Sequence, residues 1–215
     1  MKNSTKENTL RRANEELGKG MYNVAFWFFQ SLAEEGVGEA FFELGRFYKF
    51  GWNGEQDDKK AFECFYKGAV RGDSLSQNFL ADCYANGIGT TPDPEEAFFW
   101  MKESADLNCL FAIMDLGNYY YYGIGVEKNL EKAFEYNLKA ADYDSECTAR
   151  AKNNVAFSYL NGQGVDPDPE KAKLYFQLAI NSGCQGKYYL DSTIEGAKNG
   201  NEDDKKMLQL CGIEY

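Results

Sequence analysis

One spacing governs this chain. Leu44-Gly45, Tyr48 and Gly51 recur 36 residues later as Leu80-Ala81, Tyr84 and Gly87, and again as Leu116-Gly117, Tyr120 and Gly123. A fourth copy, Val155-Ala156, Tyr159 and Gly162, follows after 39 residues, with the extra three placed between Asp142 and Ala149. Each copy has an alanine seventeen residues after its leucine or valine, at Ala61, Ala97, Ala133 and Ala172. Ala25 marks the second half of an earlier unit. A period of this length belongs to arrays in which no unit buries its apolar face alone, so neighbours must stack.

Each unit reads as two antiparallel helices. Ala40, Leu44 and Tyr48 fall at intervals of four, one face of a 3.6-residue period, as do Ser76, Leu80 and Tyr84. The second helix of each unit is expected to start at Asp57, Asp93, Asn129 or Asp168, whose short side chains accept from free first-turn N–H groups. Pro94 and Pro169 fit the first helical position, where no intrahelical N–H is needed. The pairs Gly87/Gly89, Gly123/Gly125 and Gly162/Gly164 sit where the first helix must stop. They lack the preceding strand and following Gly-Lys of a phosphate loop, so they read as turns.

The run Ala112, Leu116-Gly117, Tyr120, Gly123, Gly125-Val126, then Ala133, Tyr136 and Ala140-Ala141, resembles the Sel-one-like repeat, a relative of the tetratricopeptide repeat. The resemblance covers roughly residues 25 to 183. Gly51-Trp52-Asn53-Gly54 departs from the regular glycine pair, and Ser76, Val155 and Ile180 replace the usual Ala, Leu and Ala. The resemblance implies an all-α fold, an α-solenoid of stacked helix pairs in a right-handed superhelix, generally used as a protein–protein adaptor. Its expected parts within one solenoid domain, 1–215, are an N-terminal cap helix and half repeat at 8–36, with the cap helix from Asn8 to Gly18. Four repeats follow at 37–72, 73–108, 109–147 and 148–183, then capping helices at 184–215, with one or two helices between Lys187 and Cys211. Polar-faced ends are needed to cover the last apolar surfaces of an array.

Composition narrows the chemistry. There is no histidine, which removes His-dependent triads, the HExxH motif and zinc sites with a His ligand. The net charge of −11 argues against a nucleic-acid backbone or an anionic membrane as the main partner. There is no long apolar run, and the first eight residues lack the apolar core of a signal peptide, so a cytoplasmic location and no membrane insertion are expected. The six cysteines do not show the paired spacing of the family's secreted, cysteine-rich branch, and free thiols are expected. Cys64 takes the position held by Trp100, Tyr136 and Tyr175 in other units, a core position. Asp93 with Glu95, and Asp166 with Asp168, repeat with the unit, and capping explains them better than paired-carboxylate catalysis. No metal or cofactor is expected, and a monomer is favoured.

In stacks of this kind the first helices line the inner surface. Counting two, six, nine and ten residues on from Ala40, Ser76, Ala112 and Ala151 gives the candidate lining. The first unit supplies Phe42, Arg46, Lys49 and Phe50, and the second Asn78, Asp82, Ala85 and Asn86. The third supplies Met114, Asn118, Tyr121 and Tyr122, and the fourth Asn153, Phe157, Leu160 and Asn161. Tyr120, Tyr121 and Tyr122 cannot all face the same way. Carboxamides both donate to and accept from a peptide main chain, and aromatics add contact area at small entropic cost. The leading expectation is a non-catalytic scaffold that binds a protein or peptide there, with an acidic ligand group docking at Arg46 and Lys49. Alternatives are a carboxylate- or tyrosine-based enzyme or small-molecule binder, and an acidic inhibitor or immunity-type protein.

Overall fold

The computed structural model describes residues 2–143 and 145–215, without the side chains of residues 2–4, 146 and 184. The described residues form twelve α-helices and no strand. They are α1 (Lys2–Gly18), α2 (Tyr22–Glu34), α3 (Gly38–Phe50), α4 (Asp58–Ala69), α5 (Ser74–Asn86) and α6 (Pro94–Asp106). Then come α7 (Leu110–Tyr122), α8 (Leu130–Ala141), α9 (Ala149–Asn161), α10 (Pro169–Ile180), α11 (Gly183–Lys198) and α12 (Glu202–Cys211). The chain divides into two compact units, Met1–Ala112 and Ile113–Tyr215. No described helix is long and apolar enough to cross a membrane.

All four expected caps are in place. Lys60 N donates to Asp57 Oδ1 at 2.9 Å, Lys132 N to Asn129 Oδ1 at 2.8 Å, and Lys171 N to Asp168 Oδ1 at 3.0 Å. Asp93 Oδ1 accepts from both Glu95 N and Glu96 N at 3.1 Å. The first helices stop on left-handed glycines, Gly51, Gly87 and Gly162, with φ of 64°, 68° and 66°. The second glycine of a pair has a different task. At Gly164, with φ of 75°, a Cβ would run into the Leu130 carbonyl at the start of α8. Only glycine combines that backbone angle with so close an approach.

In the first unit α1 to α6 pack in chain order, and α3 also packs on α5, first helix on first helix. Phe29, Leu32, Leu44 and Phe47 fill one part of the core, and Phe65, Leu80 and Cys83 the next. Helix α1 begins at Lys2, earlier than the expected Asn8, because neither Gly nor Pro interrupts the chain before Leu17. In the second unit α9 packs on α8 and α10, and α12 closes against α9, α10 and α11. Val155, Phe176, Met207 and Leu208 are fully buried there. The C-terminal cap is two helices, divided at Asn201, whose Oδ1 accepts from Asp203 N at 3.0 Å and Asp204 N at 3.2 Å. A short 3-10 turn, Glu146–Thr148, lies within the expected insertion.

Cys64, Cys83, Cys109, Cys147 and Cys211 are unpaired thiols, while Cys184 lies outside the described side chains. Burial pushes the Cys64 thiol up to about 11 and that of Cys83 up to about 12. At neutral pH both stay protonated and behave as small core groups.

Candidate functional site

The second unit holds a recess of about 300 Å³ walled by the carboxyl-terminal half of α7, by α8 and α9, and by the start of α12. Asn118, Tyr121, Tyr122, Asn153, Phe157 and Asn161 all line it, six of the expected residues in one place. Asn137, Asn154, Ser158, Gln163 and Asp203 complete its polar wall. Asn154 Nδ2 donates to Asn137 Oδ1 at 3.1 Å, and Asn137 Nδ2 donates to the Ala133 carbonyl at 2.8 Å. Asn161 Nδ2 donates to Asp203 Oδ2 at 3.1 Å. Asn153 Oδ1 is buried and accepts from nothing. An unsatisfied buried acceptor costs about 1–3 kcal/mol, so this carboxamide is short of a donor that none of the described residues supplies. Tyr120 turns the other way and stacks on Tyr136 at 5.6 Å.

The other expected residues are placed differently. Phe42, Asn78 and Met114 are buried, with 6%, 5% and 5% exposure, and as they stand offer no surface to a ligand. All three stand two residues past the repeat residue. For Phe42 this position faces the next repeat, where its ring meets Phe65 at 6.2 Å and Phe79 at 5.2 Å. Arg46 is committed within the chain, since Nη1 donates to both carboxylate oxygens of Glu43 at 3.0 Å. Its guanidinium also lies 4.8 Å over Trp52 and 5.6 Å over Phe42. Burial pushes the Glu43 carboxyl up against the pull of Arg46, so Glu43 needs that partner to stay ionised. Lys49 sits 5.5 Å over the Phe79 ring, and Phe50 is half exposed and stacked on Trp52 at 5.3 Å. Asp82 is half-buried. Asn86 is exposed and its Nδ2 donates to the Asp82 carbonyl at 2.9 Å. A second recess of about 300 Å³, in the first unit around Tyr48, Gly54, Asp57 and Lys60, includes none of the expected residues.

The Sel1 repeat model matches residues 38–73, 74–109, 110–142 and 149–184, most of the chain. The chain belongs to the Sel1 repeat family. It is 30% identical over 183 residues to chitin synthase regulatory factor 3 of Schizosaccharomyces pombe, covering 82% of this chain and 19% of that protein. It is 29% identical over 154 residues to the exopolysaccharide production negative regulator of Rhizobium leguminosarum bv. viciae, covering 65% and 57%. It therefore spans between a fifth and about three fifths of these relatives. Among solved structures, a Sel1 repeat protein from Oxalobacter formigenes superposes with a TM-score of 0.72 at 23% identity, covering 87% of this chain and 76% of that one.

The Sel1 register also explains what the sequence reading missed. Four residues past the marker alanine stand Phe65, Met101 and Phe176, all with 0% exposure. The third Sel1 repeat has Asn137 there, equally enclosed at 5%. A polar side chain has replaced the core residue of one repeat, and the recess opens at that point. Gly117 of α7 stands against it as Gly45 stands against Phe65 in the first repeat, and a Cβ at either glycine would lie closer than 3 Å to the facing side chain. Aligning the four repeats exposes this substitution, because second helices carry the exception. Asp203 has no such signal, since it belongs to the cap, outside the repeat.

Proposed function

We propose that this chain is a non-catalytic adaptor that docks a segment of a partner protein in the recess between α7, α8, α9 and α12. The observation that carries this reading is Asn137, a polar residue in a core position that the other three repeats fill with Phe or Met. Stability alone gives no reason to open the core there, whereas a binding site does. The carboxamides of Asn118 and Asn153 are suited to a peptide main chain, donating to its carbonyls and accepting from its N–H groups. Tyr121, Tyr122 and Phe157 supply contact area around them. Relatives named as regulators of chitin synthase and of exopolysaccharide production fit a protein that acts by binding others.

Affinity capture followed by mass spectrometry tests the reading on three versions of the chain. The partner held by the unaltered protein is expected to be lost from Asn118→Ala/Asn153→Ala, each contact contributing about 0.5–1.5 kcal/mol. It should be retained by Lys173→Glu on α10. A partner that survives the double substitution and disappears with Lys173→Glu would move the site off the recess.

A further inference from the structure

We propose that the recess receives an arginine side chain carried by the docked segment, an inference that rests on the reading of the recess as the partner site. The charge of the wall points this way first. Among the described residues Asp203 is its one charged member, and neither Lys nor Arg lines it. Lys206 approaches Asp203 only to 3.8 Å and is well exposed, and Lys128 lies outside, 5.3 Å over the outer Tyr121 ring. Exposed pairs of that kind are weak and give way to a better-placed cation. Helices α7 and α9 close here at Tyr122 and Asn161, while α8 and α12 begin here at Leu130 and Glu202, so the helix dipoles offset one another and the Asp203 carboxylate sets the charge of the wall.

Hydrogen-bond capacity makes the second argument. The wall has an orphan acceptor in Asn153 Oδ1 and a carboxylate with one oxygen already used by Asn161. Asn153 Oδ1 is itself enclosed, so reaching a donor in the recess takes a turn of the amide about its broad, two-fold χ2, with Nδ2 moving to the enclosed side. A guanidinium offers five N–H donors and no acceptor, and its planar fork matches a carboxylate such as Asp203. It also stacks on aromatic faces, and Tyr121 and Tyr122 provide them. The chain uses the same pairing internally, with Arg46 over Trp52 at 4.8 Å and Arg71 over Phe41 at 4.6 Å. About 300 Å³ is space for one long side chain and a little main chain, at the low end of ligand sites. The net charge of −11 draws a basic segment in from a distance.

The test uses the tripeptide acetyl-Gly-Arg-Gly-amide and its citrulline counterpart, which has nearly the same shape and no charge. Each is titrated into the isotopically labelled full chain while the side-chain amide signals of Asn118, Asn153 and Asn161 are followed by NMR. The arginine peptide should shift these signals saturably, with affinity at least about fivefold above the citrulline peptide, since a charge-assisted hydrogen bond is about twice as strong as a neutral one. Asp203→Asn, which keeps an acceptor for Asn161, should abolish the difference. Equal binding of the two peptides at the recess would overturn the arginine assignment and leave the adaptor site standing. No shift of the recess signals by either peptide overturns the assignment, and persistence of a captured partner in Asn118→Ala/Asn153→Ala is the separate result that removes the adaptor site. A preference for arginine unmoved by Asp203→Asn would reduce the effect to the general field of an acidic chain and overturn the proposal.

Discussion

Replacing Asn137 by leucine separates binding from folding. Leucine has the branched shape of asparagine but more bulk, enough to fill part of the recess, and the site is enclosed, with 5% exposure. A buried leucine contributes about 1.5–3 kcal/mol through apolar burial. Against this stands the lost bond from Asn137 Nδ2 to the Ala133 carbonyl, about 0.5–1.5 kcal/mol. Asn154 Nδ2 also loses its acceptor. Asn154 is only half-buried, so its amide can turn to water and the loss stays small. The balance falls between neutral and about 2 kcal/mol of stabilisation, from the same two ranges. Leu116→Ala provides the contrast: Leu116 is fully buried, and deleting most of such a side chain costs about 2–5 kcal/mol.

Urea unfolding followed by circular dichroism measures both, read as a shift in midpoint at constant slope. Partner capture on the same samples should show that Asn137→Leu binds nothing despite equal or higher stability. That combination is the signature of a residue kept for function at some expense in stability. If Asn137→Leu loses 2 kcal/mol or more, the carboxamide is a structural element and the recess is incidental. If it keeps the partner, the reasoning fails at the other end.

Two further outcomes are expected. Asn129→Ala removes the cap that accepts from Lys132 N and should cost about 0.5–2 kcal/mol by thermal or urea unfolding. Cys64 and Cys83 should resist iodoacetamide in the native protein at pH 7.5 and react fully in denaturant, read by mass spectrometry. Because their folded values, about 11 and about 12, lie above those of free thiols, the unfolded chain gives up these protons first as pH rises. Their contribution to stability is therefore complete below pH 8.5 and should fall progressively as pH climbs towards 11 and 12.

Most of the helical frame was legible because its causes are local. Asp57, Asp93, Asn129 and Asp168 cap helices by reaching residues two or three positions ahead, and a glycine at φ near 65° ends α3, α5 and α9 without help from distant parts. The site was legible only in part. Register gave Asn118, Asn153 and Asn161 their shared face, yet it could not say that Phe42 would be covered by Phe79 from the next repeat. Nor could it show that Arg46 is held by Glu43, because counting positions along a helix gives direction and not availability. With its guanidinium bonded to a buried carboxylate and laid over Trp52, Arg46 is part of the first unit's packing. Taking it to an acidic ligand would strip the buried Glu43 carboxylate of its partner, which is unfavourable.

The contact of Gly117 with Asn137 gives a last and stricter test of how closely α7 and α8 are matched at the recess, since the first repeat sets the same glycine, Gly45, against Phe65. At the same register the second repeat has Ala81 and Met101, both with 0% exposure, so a methyl group on the first helix and a long apolar side chain on the second are compatible there. In the third repeat a Cβ at Gly117 would lie 2.8 Å from both terminal atoms of the Asn137 amide, closer than packed atoms sit. Gly117→Ala therefore gains about 0.5–1 kcal/mol of helix propensity but forces the branched, planar amide aside at about 1–3 kcal/mol. Asn137→Met alone places a longer chain against a glycine and leaves the gap partly unfilled. Together the two changes rebuild the arrangement of the second repeat, and an unbranched thioether can adapt to the added methyl where the amide cannot. The double variant should therefore be more stable than the two single effects added, by about 1 kcal/mol or more in a double-mutant cycle. It should also have no recess and no partner. Strict additivity would mean that the two positions do not interact, and that the opening between α7 and α8 is not a matched device.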